Sequence, residues 1–442
     1  MKKTFPFLLL CSACFLFNKE NEQNTDLTLS LHSAGVTSIN LNVSPEDSLS
    51  FFTFELSRND SVVKTLSIQS NTLIKDTGLN PNTAYTYKGY WMNGTKRVGE
   101  SNTLNVTTMD TTSHNFTWEI DTLGEYGSYL NDVWIVDEND IWVVGALSID
   151  DSTLNYEGHL NYNAAHWDGN EWEFRKVMQP GGYVIPVSCI YYFDENDIWF
   201  GQGGLPIQWN GDEYYMFMPS NGEHPGQPTI NAIWGTSSSN MYFVGRRGSI
   251  VHYDGTEFVQ MESGTNVNLK NIHGSGDGEF VFATGFTISG ENAGQTVALE
   301  LIDNEWQTLY SYHTTLPNNE STGGVYACYV YGDTVYFNRT GGFWKFNYLT
   351  RESTIIPPEN TGGLSGFGFQ KIIVANTNDI HFIANGFSYL HFNGGSWYVD
   401  HSVNTYFLSE CVSNNFDYEA NSITMVGYIT LGKGIVVLGR HK

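Results

Sequence analysis

At 442 residues the chain exceeds what one ordinary hydrophobic core holds, so its length points to two domains, one of them large. Charged residues make up only 15% and aromatic residues another 15%, a balance that favours sheet over helix. The 21 basic residues against 47 acidic ones give a formal net charge of −26, a sign that repels phosphate backbones and excludes nucleic acid as the expected partner.

In chain order, residues 1–25 read as a leader and tether. Met1-Lys2-Lys3 precedes an apolar run from Phe5 to Ala13, then Cys14, then polar residues Asn18 to Asp26, the pattern of an export signal. Cys11-Ser12-Ala13 before Cys14 resembles a bacterial lipobox, which implies lipidation of Cys14. It departs from that pattern in carrying Cys11 where Leu is usual, and in the apolar Phe15-Leu16-Phe17 that follows. Ordinary signal cleavage and an uncleaved anchor are the alternatives. No later run reaches the roughly 20 apolar residues of a membrane-spanning helix. The expected location is therefore the outer membrane or cell surface through a lipid anchor, with periplasmic or secreted forms as alternatives. Beyond the leader, Cys189, Cys328 and Cys411 are odd in number and widely spaced, neither a disulfide framework nor a metal-ligand motif.

Residues 26–109 alternate apolar and polar side chains, as in Ile39 to Val43, Phe52 to Leu56 and Thr103 to Thr107. Leu79-Asn80-Pro81-Asn82-Thr83-Ala84-Tyr85 resembles the corner before the sixth strand of fibronectin type III domains. Pro81 fixes such a corner, and Tyr85 can bury its ring while returning its hydroxyl to the backbone upstream. The departure is Leu41, where that family often has Trp.

From residue 114 onward a phrase recurs. Asn139-Asp140-Ile141-Trp142-Val143-Val144-Gly145 is followed by His166-Trp167-Asp168-Gly169-Asn170-Glu171-Trp172. It returns as Asn196 to Gly201 with Trp209 to Tyr214, and as Asn240 to Gly245 with His252 to Phe258. A period of roughly 40 to 55 residues, alternating turns with aromatic strands, is the signature of a propeller blade. The units number seven, rather than six or eight, with second strands at Ile141 to Val144, Ile198 to Phe200, Met241 to Val244, Phe280 to Ala283, Val335 to Phe337, Ile380 to Ile383 and Ile423 to Val426. Inner strands precede them at Leu130 to Trp134, Val187 to Tyr191, Ile230 to Trp234, Leu269 to His273, Tyr326 to Val330, Phe369 to Ile373 and Leu408 to Val412. Phe116 to Ile120 resembles the outer strand of the first unit, so strand 115–120 is expected to complete the last blade and close a propeller spanning 114–442. The expected fold class is all-β: a fibronectin III-like sandwich followed by a seven-bladed propeller.

The phrase resembles the photosystem-assembly-factor-like and BNR-like propellers of exported bacterial proteins. Sialidases among them carry one residue between the Asp and Gly of their repeated box, whereas Asp168-Gly169 and Asp254-Gly255 are adjacent here, which weakens any carry-over of sialidase activity. Asp168-Gly169, Asn210-Gly211, Asp254-Gly255, Asp303-Asn304 and Asn393-Gly394 are read as hairpin turns with both central residues at positive φ.

The expected chemistry is recognition, with no cofactor and no metal. His166, His252 and His391 share one repeat position and so belong to different blades, too far apart to share a metal with bonds of about 2 Å. The acidic turns Asp137 to Asp140 and Asp194 to Asp197 lack the Gly and terminal Glu of an EF-hand loop. Cys189 and Cys328 are read as sharing one inner-strand position, with a packing role. Gly362-Gly363-Leu364-Ser365-Gly366 lacks the Lys and following helix of a phosphate loop, and no Gly-x-Ser-x-Gly elbow is present.

Variation concentrates in the loops that join second to third strands and blade to blade, on one rim: Ala146 to Ala164, Pro219 to Thr229 and His313 to Gly324. Tyr156, His159 and Tyr162 from the first long loop, with Arg246, Arg247 and Arg339 from two tight turns, are the candidate ligand-binding residues. The arginines would meet an anionic group and the tyrosines would stack on sugars; the alternative is that the arginines merely balance neighbouring carboxylates. The expected function is a non-catalytic scaffold recognising an envelope protein or glycan. The competing reading is a carbohydrate-active enzyme using carboxylates at the channel mouth.

Overall fold

The computed structural model describes residues 27–45, 52–150, 159–178, 182–290, 292–313, 324–339, 342–356, 369–384, 387–400, 411–429 and 432–441. Cys14, Tyr156 and the Gly362 to Gly366 loop lie outside them. The chain divides into two compact units, Met1–Met109 and Asp110–Lys442. Among the described residues no helix is long and apolar enough to cross a membrane.

The first unit holds seven strands: β1 Leu27–Ala34, β2 Ser38–Pro45, β3 Phe52–Arg58, β4 Ser61–Ile68, β5 Thr72–Thr77, β6 Ala84–Asn93 and β7 Lys96–Thr107. Their hydrogen-bonded order is β4-β3-β6-β7-β1-β2-β5. Alternation does the work of the core. Ile39, Leu41 and Val43 of β2 turn inward against Phe54 and Leu56 of β3 and Tyr87 of β6, all fully buried. Each such side chain contributes about 1.5–3 kcal/mol of transfer energy. Gly89 is small because a Cβ there would lie 2.5 Å from the Phe54 ring. The Asn80 N–H donates to the Tyr85 hydroxyl at 2.9 Å, which ties the corner to the strand that leaves it. One carboxylate is buried beneath, and Asp76 is compensated by Arg58 Nη1 at 2.9 Å and by the Tyr87 hydroxyl at 2.8 Å.

The second unit is a seven-bladed propeller, each blade a four-stranded antiparallel sheet. Its inner strands are Tyr129–Asp137, Cys189–Asp194, Ile230–Ser237, Leu269–Gly274, Val325–Tyr331, Phe369–Asn376 and Cys411–Glu419. In the seventh blade the outer strand is β8, Phe116–Leu123, which pairs along Gly434–His441 from Phe116↔His441 to Leu123↔Gly434. Both ends of the unit thus share one sheet, and ring opening would have to break that ladder.

The glycine that ends the phrase has a steric cause. Six inner strands carry a bulge near their start, at Asn131, Asn231, Lys270, Tyr326, Gln370 and Asn414. In blades 1, 3 and 4 the incoming backbone lies against the end of the second strand, whereas blades 5 and 6 place Arg339 and Ala384 opposite the start of the bulged strand. A Cβ on Gly145 would lie 2.1 Å from the Tyr129 carbonyl oxygen, one on Gly245 would lie 1.6 Å from that of Thr229, and one on Gly285 would lie 2.3 Å from that of Asn268. Three of the bulge residues also fasten neighbouring blades. The side-chain amides of Asn131, Asn231 and Asn414 donate to the carbonyls of Val187, Leu269 and Leu130 at 2.8, 2.7 and 2.5 Å.

Several expectations need correction. In the hairpins of Asp168, Asn210, Asp254 and Asn393, only the glycine has positive φ; the preceding side-chain oxygen accepts two backbone N–H groups, as Asp254 does from Thr256 and Glu257 at 2.8 and 2.9 Å. Only Asp303 and Asn304 of the set are both at positive φ, 50° and 64°. The seventh inner strand runs to Glu419 and pairs Phe416 with Met425, so Leu408 to Val412 misplaces its core. Cys189 faces Gly201 while Cys328 faces Phe337, one register step apart, because Ile190 is the residue opposite Phe200. Much of Ala146 to Ala164 is strand, since the flanking pair reaches Asp150↔His159.

Candidate functional site on the loop rim

Arg246 and Arg247 lie in the turn between second and third strands of blade 3, both exposed. Arg247 adopts a left-handed backbone, φ 58°, held by its N–H donating to Asn268 Oδ1 at 3.0 Å. Gly248 follows at φ 69°, and a Cβ there would lie 2.0 Å from the Thr265 carbonyl oxygen. The turn is therefore packed against the blade 3 to blade 4 connection, with a cavity of about 640 Å³ between them. Its lining is polar, including Arg246, Arg247, Gln260, Glu262, Asn292 and Gln295, with no aromatic residue.

Lys270, the bulge residue of blade 4, adds a third cation. Its ammonium is held below the usual lysine range by partial desolvation first and by Arg246 second, although its side chain reaches solvent. Among the described residues neither rim arginine pairs with a carboxylate within 4.0 Å. Two exposed arginines thus line a cavity that also carries the carboxylate of Glu262, in a chain of net charge −26.

Of the remaining candidates, Tyr162 and Arg339 do not join it. Tyr162 packs against Phe174 at 5.5 Å with Lys176 Nζ 4.9 Å from its ring centroid, contacts made within blade 1. His159 opens the third strand of blade 1 opposite Asp150. Arg339 is not in an exposed turn: it ends the second strand of blade 5, opposite Val325, at the register where blades 1, 3 and 4 carry Gly145, Gly245 and Gly285. It is 5% exposed, and burial lowers its pKa.

Sequence reading missed a charged group on the inner strands. Asp132 accepts the N–H groups of Val133 and Ile190 at 2.9 and 3.0 Å and an amide N–H of Asn415. Asp417 accepts those of Ile135 and Tyr418 at 2.8 and 3.0 Å. Burial raises the pKa of both, Asp417 to about 6, while Lys371 of blade 6 pulls them down. These are carboxylates near the axis, where an enzyme would need them. Their oxygens are spent fastening one blade's backbone to the next, a structural use. The signal available was Asp or Asn at the inner strand's start, as in Asn131-Asp132 and Asn414-Asn415.

The repeat histidines each have a partner in their own blade. His166 Nε2 meets Asp140 Oδ1 at 2.8 Å, His252 Nε2 meets Asn240 Oδ1 at 2.8 Å, and His391 Nε2 meets Asp379 Oδ1 at 2.7 Å. In blades 1 and 3 the ring stacks on Trp142 or Tyr242, 4.5 and 4.4 Å away. In blade 6 the stacked residue is His381, which brings Asp379, His381 and His391 into one buried group.

No family model matches the chain, and no curated protein sequence does. Among solved structures it resembles YCF48 bound to a D1 peptide, at TM-score 0.51 and 13% identity over 75% of this chain and 97% of that one. The likeness is one of fold. YCF48 from Cyanidioschyzon merolae superposes at TM-score 0.48 and 13% identity, over 73% of this chain and 98% of that chain. The extracellular domain of a hybrid two-component system from B. thetaiotaomicron gives TM-score 0.47 and 12% identity, over 72% of this chain and 42% of that one.

Proposed function

We propose that the protein is a recognition scaffold of the bacterial envelope whose propeller rim binds an acidic peptide segment of another protein. The observation that carries this reading is the pair Arg246 and Arg247 on a polar cavity, with Lys270 near enough to feel the charge of Arg246, in a chain of net charge −26. Exposed, unpaired guanidinium groups suit carboxylates, which they can grip in bidentate fashion. The absence of an aromatic platform among the lining residues favours a peptide over a sugar, since sugar faces are bound by stacking. The fold likeness to YCF48, solved with a D1 peptide, supports the same choice. The strand order and the Tyr85 corner support a fibronectin type III-like spacer, and the leader supports export with a lipid anchor at Cys14.

The test is fluorescence anisotropy of a labelled oligoglutamate peptide with the full chain. Binding is expected to weaken with added salt. Arg246→Ala with Arg247→Ala should weaken it about 10-fold, two partly exposed ion pairs being worth roughly 1.4 kcal/mol together. Equal affinity for wild type and double variant would remove the rim as the binding site.

A further inference from the structure

We propose that Asp379, His381 and His391 of blade 6 form a binding site for a borderline-soft divalent cation such as zinc. The three donor atoms, one from each side chain, lie within 4.8 Å of one another. His391 Nε2 and His381 Nε2 are 2.7 and 3.1 Å from Asp379 Oδ1. Tetrahedral zinc with bonds of about 2.0–2.1 Å places its ligand atoms about 3.3 Å apart, so the ion enters as the two nearly parallel imidazoles, 5.0 Å apart, turn their Nε2 atoms toward one point. Two imidazoles and one carboxylate are donors that calcium and magnesium do not favour and zinc does.

Two observations separate this group from ordinary repeat packing. His381 stands opposite the third strand where blades 1 to 5 place Trp142, Trp199, Tyr242, Phe282 and Tyr336, and blade 7 places Thr424. An apolar aromatic ring would serve the stack as it does there; a fully buried imidazole costs desolvation that packing alone does not return. Moreover, His381 Nε2 is buried without a hydrogen bond, too badly angled toward Asp379 for one despite its 3.1 Å approach.

The surroundings present the correct outer partners. His381 Nδ1 lies 2.6 Å from the Tyr389 hydroxyl, and His391 Nδ1 lies 2.9 Å from His114 Nδ1, whose own Nε2 reaches Ser396 Oγ at 2.9 Å. The Tyr418 hydroxyl donates to Asp379 Oδ2 at 3.2 Å. The Nδ1 atoms thus face groups able to accept an N–H, as a metal-bound imidazole requires, while without metal the His391 Nε2–H donates to the Asp379 carboxylate at 2.7 Å. Any Nε2 proton leaves to solvent on binding.

The experiment is calorimetric titration of zinc chloride into the full chain after removal of metal by chelator, with cobalt(II) absorption as a spectroscopic readout. Wild type should take up one tight equivalent and show ligand-field bands. His381→Phe, which restores an aromatic ring of the kind seen at Phe282, should fold and bind at least about 100-fold more weakly. Asp379→Asn is the second variant, because blade 3 makes the same histidine contact with Asn240, and it should also lose the tight equivalent. His252→Gln in blade 3 should bind as wild type does. The proposal is overturned if wild type shows no tight equivalent, or if the folded His381→Phe and Asp379→Asn proteins keep it.

Discussion

Gly245→Ala should destabilise the propeller by about 3 kcal/mol or more, lowering its thermal midpoint by roughly 5–10 °C. The backbone at Gly245 is extended, φ −161°, so conformation is no obstacle to alanine. Space is the obstacle. The new Cβ would lie 1.6 Å from the carbonyl oxygen of Thr229 and 2.8 Å from its carbon, and both are backbone atoms that no rotamer can move. That carbonyl also accepts the Arg246 N–H at 3.3 Å, and Pro228 just before it lines the rim cavity. Relief of the clash must therefore shift the Arg246 turn, and peptide binding should weaken with stability. Gly276→Ala is the control, since nothing lies within 4 Å of a Cβ there, and it should remain within about 0.5 kcal/mol of wild type. Calorimetric unfolding of the two variants beside wild type decides the matter: equal midpoints for Gly245→Ala and Gly276→Ala would mean that the bulged strand is not a fixed wall.

The same glycine shows what the chain made legible. Its recurrence after Ile-Trp-Val-Val or Met-Tyr-Phe-Val gave the repeat, and the repeat gave the propeller, because period and turn chemistry are local properties. The reason for the glycine was not legible, since it depends on a backbone crossing from the preceding blade. The site divides in the same way. Arg246 and Arg247 sit in a tight turn whose place in the repeat can be counted, and the structure sets them on a cavity. Arg339 fails by the same count, because one register step decides whether an end residue is in a turn or in a strand. The Asp379, His381 and His391 group was hidden by the repeat itself. His391 reads as one more copy of His166 and His252, and only the pairing His381↔His391 shows that blade 6 has exchanged its aromatic partner for a second imidazole.

Acidification should destabilise the propeller between about pH 6.5 and 4, and His224 should carry a measurable share of the loss. This side chain is 4% exposed, its Nδ1 accepts the Gly226 N–H at 2.9 Å, and its ring lies edge-on to Phe258 at 5.0 Å. Burial lowers its pKa from 6.5 to about 4. The folded state therefore holds it neutral while the unfolded chain takes up a proton first as pH falls. Stability from this group is full above 6.5 and is lost on the way down to about 4. Two and a half pKa units correspond to about 3 kcal/mol at the limit, of which about 2.5 kcal/mol is spent by pH 4.5. His273, whose pKa burial and Lys371 lower to about 3, acts in the same direction. Asp417 opposes them, because burial raises its pKa to about 6 and its ionised form weighs against folding above that value. The histidine contribution wins if urea midpoints fall from pH 7 to 4.5. His224→Gln keeps an acceptor for Gly226 and has nothing to protonate, so its fall over the same range should be smaller than wild type by about 2.5 kcal/mol. Parallel losses in the two proteins would show that His224 is already charged, or already exposed, in the folded state.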